Sequence, residues 1–249
     1  MHVDHALLLF LAAFAAGSLN AVAGGGSFIS FPALIFAGIP PIQANATNTA
    51  ALFPGTLASA WAYRKAMKGY GRKLIPLIIS GMIGGTIGAY ILLHTPQRLF
   101  LNLVPWFLLY ATILFAFSRR IAGFFRQHAA FAHHPVAGMF LQLIIGTYVG
   151  YFGAGAGILM LAMLALLGET DIHAMNGMKS LIVTLANGMA TGTFIFSRAV
   201  LWPQAIVMLA GATIGGYCMA WYAQKIDQRI VRVIVIVTGL VMAVYFFVR

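Results

Sequence analysis

Apolar residues in this chain gather into long runs parted by short polar or Pro/Gly-rich joints, and ten candidate segments result. They are Ala6–Ala23, Ser27–Ala37, Ala44–Ala62, Leu74–Leu93, Leu99–Phe117, Pro135–Phe152, Ala156–Gly168, Met178–Phe196, Pro203–Tyr222 and Ile230–Val248. Strands of a membrane barrel would place a polar residue at every second position. Runs such as Leu103–Ala116 and Val231–Val248 do not, so every segment is predicted to be an α-helix. Eight are long enough to cross a bilayer at about 20 residues per span. The other two, Ser27–Ala37 and Ala156–Gly168, are short and follow glycine clusters at Gly24-Gly25-Gly26 and at Gly153, Gly155 and Gly157. Glycine is a poor helix former that lets backbones approach closely, so the chain is expected to break there.

Composition narrows the class. Of 249 residues, 61% are hydrophobic and 8% charged, against about 45–50% and about 25% in soluble domains. This excludes a soluble enzyme and a disordered protein. No Asp, Glu, Lys or Arg occurs in the 59 residues from His5 to Tyr63, nor in the 42 from Gln127 to Gly168. The chain is read as an all-α polytopic membrane protein with the lipid bilayer as its surroundings. Its net charge of +11 is then the cation excess that cytoplasmic loops collect, and no nucleic-acid partner is expected. Leu7–Ala16 is apolar like a signal peptide but has no Lys or Arg before it, so the first span is expected to be retained. Cys218 is a single cysteine in an apolar run and implies no internal disulfide.

A shift of about 130 residues lays Gly25 on Gly155, Leu34 on Leu164, Gly38 on Gly168, Ile42 on Ile172, Ala44 on Ala174, Gly81 on Gly211 and Gly85 on Gly215. The order of features repeats too: broken hairpin, polar-flecked helix, then a Gly-rich helix. The chain is therefore read as two repeats, residues 1–120 and 135–249, joined by a basic, histidine-bearing loop over 121–134. Each repeat would hold about four spans plus one glycine-broken re-entrant segment. If each broken segment counts as two crossings, the cations divide 12 to 3, the minority being Arg98, Arg198 and Arg249; counted as one crossing, they divide 10 to 5. The sharper split fits the positive-inside rule better and makes the halves inverted, with both termini outside. Inverted repeats are common in secondary transporters.

Transport sites form where paired interrupted segments meet near the midplane, and a helix starting at such a break points N–H groups at anions. The candidate substrate-binding residues are Asn20, Gly24, Gly25, Gly26 and Ser27 at the first break and Gly153, Gly155 and Gly157 at the second. Thr47 and Asn48 join them from the third segment, and Lys179 and Asn187 from the eighth. Asn and Thr would supply neutral donors and Lys179 a charge; Lys179 can alternatively snorkel or pair with Glu169 or Asp171. Gly81, Gly84, Gly85 and Gly88 are read as helix-packing residues. Asp4, Glu169, Asp171 and Asp227 all lie near segment ends, so no buried acid favours a cation or a carboxylate proton relay. Nor does a Gly-Lys-Ser/Thr ending or a G-x-S-x-G elbow occur. No catalytic residue, metal site or cofactor is expected. His128, His133 and His134 lack a zinc-type ligand set and are read as solvated; a metal carrier using them, or an accessory subunit without a transport cycle, are the alternatives.

The stretch GSLNAVAGGGSFISFPALIFAGIPPIQANATNTAALFPG, from Gly17, resembles the signature of the sulfite exporter TauE/SafE family. The stretch GYFGAGAGILMLAMLALLGETDIHAMNGMKSLIVTLANGMATGTFIFS is similar to that family's second copy, and Trp202-Pro203 opens the following helix as the family does. This copy departs in having Leu161-Ala162-Met163-Leu164 in place of a Pro-x-Leu, and Met178 before Lys179 where the family often has Thr. The resemblance implies export of sulfite, sulfoacetate or another small organic anion across the bacterial cytoplasmic membrane.

Overall fold

A computed structural model describes residues 3–22, 25–127, 135–222 and 228–248. These residues form ten helices: α1 (Val3–Val22), α2 (Ser27–Phe36), α3 (Pro41–Ala62), α4 (Gly71–His94), α5 (Gln97–Gln127), α6 (Pro135–Tyr151), α7 (Ala156–Leu166), α8 (Ile172–Phe196), α9 (Trp202–Tyr222) and α10 (Gln228–Val248). No strand occurs among the described residues. Each helix falls on one of the ten apolar runs, and the differences lie at the ends. The third begins earlier because proline suits the first turn of a helix, which puts Pro41 inside it. The eighth begins earlier because the Asp171 carboxylate accepts from His173 N–H at 2.9 Å, a side-chain cap. The fifth continues to Gln127, so residues 121–127 of the expected connecting loop are helical. His128, His133 and His134 lie outside the described residues.

α2 has only 10 residues, about 15 Å of rise and so about half of a bilayer's hydrocarbon core. Pro32 does not end it; the chain leaves the helix at Gly38, whose φ of +80° is the left-handed value glycine adopts freely. Ile39 N–H then reaches back to Leu34 O at 3.1 Å and Gly38 N–H to Ile35 O at 3.0 Å, the helix-ending hydrogen-bond pair that satisfies orphan carbonyls. The same pair closes α7, 130 residues on: Glu169 N–H to Leu164 O and Gly168 N–H to Ala165 O, both 3.0 Å, with Gly168 at φ +85°.

Both short helices lie inside the bundle. Phe28, Phe31 and Leu34 of α2 and Met160 of α7 are wholly buried, and Phe31 meets the rings of Phe100, Phe152 and Phe246 at 6.3, 5.5 and 6.3 Å. This placement meets the demand that broken backbone at membrane depth be enclosed by protein. The outer faces are apolar instead. Ile75, Ile79, Ile83, Ile87 and Ile91, one helical turn apart along α4, are all exposed, as befits a surface that meets lipid.

Close packing builds the rest. α1 lies along α9 and α4 along α6, each pair parallel; α3 crosses α8 and α5 crosses α10, each pair antiparallel. A side chain at Gly88 would strike the Thr147 carbonyl, one at Gly85 the Ala186 carbonyl, and one at Gly215 the Phe14 carbonyl. The glycines of α4 and α9 therefore serve helix contact, as small residues do in membranes. Replacing every helix number by the one five places on turns α1·α9 into α6·α4 and α3·α9 into α8·α4, and leaves α3·α8 and α5·α10 unchanged. At one end of the bundle, the Tyr70 hydroxyl of the α3–α4 joint donates to Glu169 Oε1 at 2.9 Å. At the other, Ile42 N–H donates to Gln97 Oε1 and Leu201 N–H to Thr47 Oγ1, each at 3.0 Å.

Candidate functional site

The first break is held by the helix before it. Gly26 N–H donates to Asn20 Oδ1 at 2.8 Å, and any side chain on Gly26 would strike the Ala16 carbonyl. The chain thus folds back along α1, and α2 starts beside the end of α1 with Ser27 leading. The second break is held differently. Gly153 and Gly155 both sit at φ +74°, the Tyr148 hydroxyl donates to Ala154 O at 2.6 Å, and Asn45 Nδ2 of α3 donates to Tyr151 O at 3.1 Å. Three hydrogen bonds from three helices, α1, α3 and α6, therefore fix where α2 and α7 begin. In each case the first turn is anchored alike: Phe28 N–H to Gly25 O at 3.2 Å and Ile158 N–H to Gly155 O at 3.0 Å.

The two helix starts meet a cavity of about 110 Å³ between α3 and α8, room for several waters or one small ion. Asn20 and Ser27 line it from the first break, and Phe152, Gly153, Ala156 and Gly157 from the second. α3 contributes Asn48, Thr49, Leu52, Gly55 and Thr56, and α8 contributes Lys179, Ser180, Val183 and Asn187; Val149 of α6 completes the wall. No Asp, Glu, Arg or His is among these residues.

Seven of the residues expected from sequence are thus brought together: Asn20, Ser27, Asn48, Gly153, Gly157, Lys179 and Asn187. Gly25, Gly26 and Gly155 lie outside the lining and shape the breaks behind it. Gly155 packs against Ala111, so its part is conformational. Thr47 is fully buried and holds Leu201 N–H at the bundle's end; one residue from Asn48, it lies about 100° around the helix and faces elsewhere. Gly24 lies outside the described residues. Thr49, Thr56 and Ser180, polar residues of the third and eighth segments that were not among the candidate site residues, also belong to the lining. Helical spacing could have found them, since 49, 52 and 56, like 180, 183 and 187, share one face at steps of three and four residues.

The donor set suits an anion. Lys179 Nζ donates to Asn176 Oδ1 at 3.0 Å, a neutral acceptor, so its charge is not cancelled by a neighbouring acid. Asn48 is buried; its Nδ2 donates to Ser27 Oγ at 3.2 Å, and its Oδ1 has no protein partner. Turning the amide over would let the serine hydroxyl donate to Oδ1 and free Nδ2 as a donor to a ligand. The first turns of α2 and α7 add the positive ends of two helices. Among the described residues no group of three or more His, Cys, Asp or Glu side chains is placed to hold a metal.

A family model described as sulfite exporter TauE/SafE matches residues 9–246. A Sinorhizobium sp protein named "Probable membrane transporter protein ORF9" is 30% identical over 237 residues, covering 95% of this chain and 90% of that one. A Haemophilus influenzae "Probable membrane transporter protein" is 26% identical over 241 residues, covering 96% and 93%. The Escherichia coli K12 "Probable membrane transporter protein YfcA" is 26% identical over 243 residues, covering 95% and 87%. No solved structure matches.

Proposed function

The chain belongs to the sulfite exporter TauE/SafE family of membrane proteins, and from that membership we propose that it is a secondary transporter exporting a small anion across the bacterial cytoplasmic membrane. Sulfite, sulfoacetate and other organosulfonates are the substrates this reading names. The observation that carries it is the cavity between α3 and α8, where two helix N-termini, one ammonium and several neutral donors converge without a carboxylate. Such a site lowers the cost of a desolvated negative charge and offers a cation no carboxylate.

The same reading takes residues 1–120 and 135–249 as inverted repeats whose rocking exposes the cavity alternately to each side. Supporting it are the matched helix pairings five places apart and the equal backbone endings of α2 and α7. The antiparallel course of α3 against α8 adds to this, because an inverted pair must cross its axis in opposite senses. The basic joint from Arg64 to Lys73 lies at the end of the bundle that Tyr70 and Glu169 share, and the positive-inside rule assigns that end to the cytoplasm. Both termini are then outside.

Lys179→Ala and Asn48→Ala should each abolish uptake of labelled sulfite or sulfoacetate into inverted membrane vesicles while the protein inserts normally. Transport at the wild-type rate by both variants overturns the site. Candidate anions should also raise the melting temperature of the purified protein, since a ligand that binds only the folded state stabilises it; a scaffold subunit would not respond.

A further inference from the structure

Lys179 is the one side chain of the cavity wall that can change its charge. The helices packed against α8 bring no acid to it. α3 and α7 contain no titratable residue at all. α6 brings Tyr148 and Tyr151, whose hydroxyls are bonded to Ala154 O and Thr95 Oγ1. α4 carries Arg72 and Lys73, exposed at its start, and Tyr90 and His94 at its far end. On the α8 side, His173 is exposed, Asp171 is occupied in capping His173 N–H, and Glu169 receives the Tyr70 hydroxyl. From α1 and α2 come only the neutral Asn20 and Ser27.

An ammonium enclosed without an acid is costly, and so is a desolvated anion. Put together in this cavity, each offsets the cost of the other. Proton and anion binding are therefore linked, and linkage is reciprocal: whatever binds one favours the other. We propose that the transporter carries one proton with each monovalent anion, the proton riding on Lys179 Nζ. On loading, the amine lone pair takes a proton from water on that side as the anion enters. On release the anion leaves, the ammonium loses its counter-charge, and the proton returns to water on the other side. Asn176 Oδ1, 3.0 Å from Nζ, holds the amine in place in both states without supplying charge. The loaded cavity gains no net charge from its cargo, so movement of the pair is electroneutral. This inference rests on the anion-transport reading and adds its co-substrate.

Sulfite titrates near neutrality and would carry protons by itself, so the probes are methanesulfonate and isethionate, which stay ionised across the working range. The purified full-length protein is reconstituted in liposomes holding a pH-sensitive dye, with the membrane potential clamped. An inward gradient of either probe should acidify the lumen, and the rate should not depend on the clamped potential. Where the free amine predominates, affinity measured by thermal stabilisation should fall about tenfold per pH unit. Lys179→Arg, permanently charged, should bind the probes with an affinity independent of pH and should move no protons. Probe uptake by the wild type without acidification overturns the proton coupling and leaves the anion-transport reading standing. Equal acidification by wild type and Lys179→Arg removes Lys179 as the carrier. A wild type that neither binds nor moves either probe overturns both readings together.

Discussion

At the scale of single residues, the polar side chains inside this bundle divide by what they hold. Asn20 and Thr47 each accept from a backbone N–H at a helix start, and Asn45 donates to a carbonyl at a helix end. Asn48, Thr49, Thr56 and Lys179 face the cavity, and Asn20 lines it as well. Polar groups in apolar runs stand out in sequence, and Asn20, Thr47, Asn48 and Lys179 were expected at one site, but sequence could not divide them. Thr47 and Asn48 are neighbours with opposite duties, and only the rotation of α3 against α8 and the 197–201 joint separates them. Gln142 of α6 belongs to neither group. It is fully buried opposite Gly81 and Ile182, and neither Nε2 nor Oε1 has a protein partner. An unbonded buried amide costs about 1–3 kcal/mol. Gln142→Met keeps roughly the same volume and removes both polar atoms, so it should raise the melting temperature in detergent and leave anion uptake intact. A lower melting temperature would mean the amide has a polar partner in the folded protein.

Elements were the most legible part of the chain. All ten helices fall on apolar runs, and both breaks fall where glycines cluster, because local composition decides helix propensity and membrane burial. Partner choice was not legible. That α1 lies on α9 and α4 on α6 depends on surfaces more than 50 residues apart, and the only trace in sequence is the glycines spaced along α4 and α9. Those glycines give a test of the contact. Gly88 and Gly192 are both in long helices, but a methyl at Gly88 would strike the Thr147 carbonyl and Tyr151 N, whereas at Gly192 nothing lies within 4 Å. Gly88→Ala should destabilise by about 1–3 kcal/mol as α4 is pushed off α6. Gly192→Ala should be neutral or stabilise by roughly 0.5–1 kcal/mol through helix propensity. Thermal unfolding in one detergent compares the two directly. Equal effects would mean that α4 and α6 do not approach as closely as their backbones do here.

For the molecule as a whole, the proposed alternating access requires the cavity to be closed on one side at a time, and the contacts around the Arg64–Lys73 joint are those that must part for it to open toward that end. Tyr63 and Met67 pack on Gly177, two residues and so about 3 Å of helical rise from Lys179, and Tyr70 bonds Glu169. That carboxylate also holds the Tyr70 hydroxyl above the usual phenol range, so the phenol keeps the proton it donates. All of these contacts run between the α3–α4 joint and the start of α8, that is, between the two proposed repeats. Opening toward this side must separate them. A cysteine Cβ at Gly177 would lie 2.6 Å from the present Met67 Cγ, and hence within about 4 Å of the Cβ at position 67, inside disulfide range. With the exposed Cys218 replaced by alanine, Met67→Cys combined with Gly177→Cys should oxidise to a bridge that stops anion flux, and reduction should restore it. Each single cysteine variant should transport under both conditions. Undiminished flux through the oxidised double variant would mean that this end need not open, and the two halves would then have to expose the cavity by some path that leaves the α3–α4 joint docked on α8.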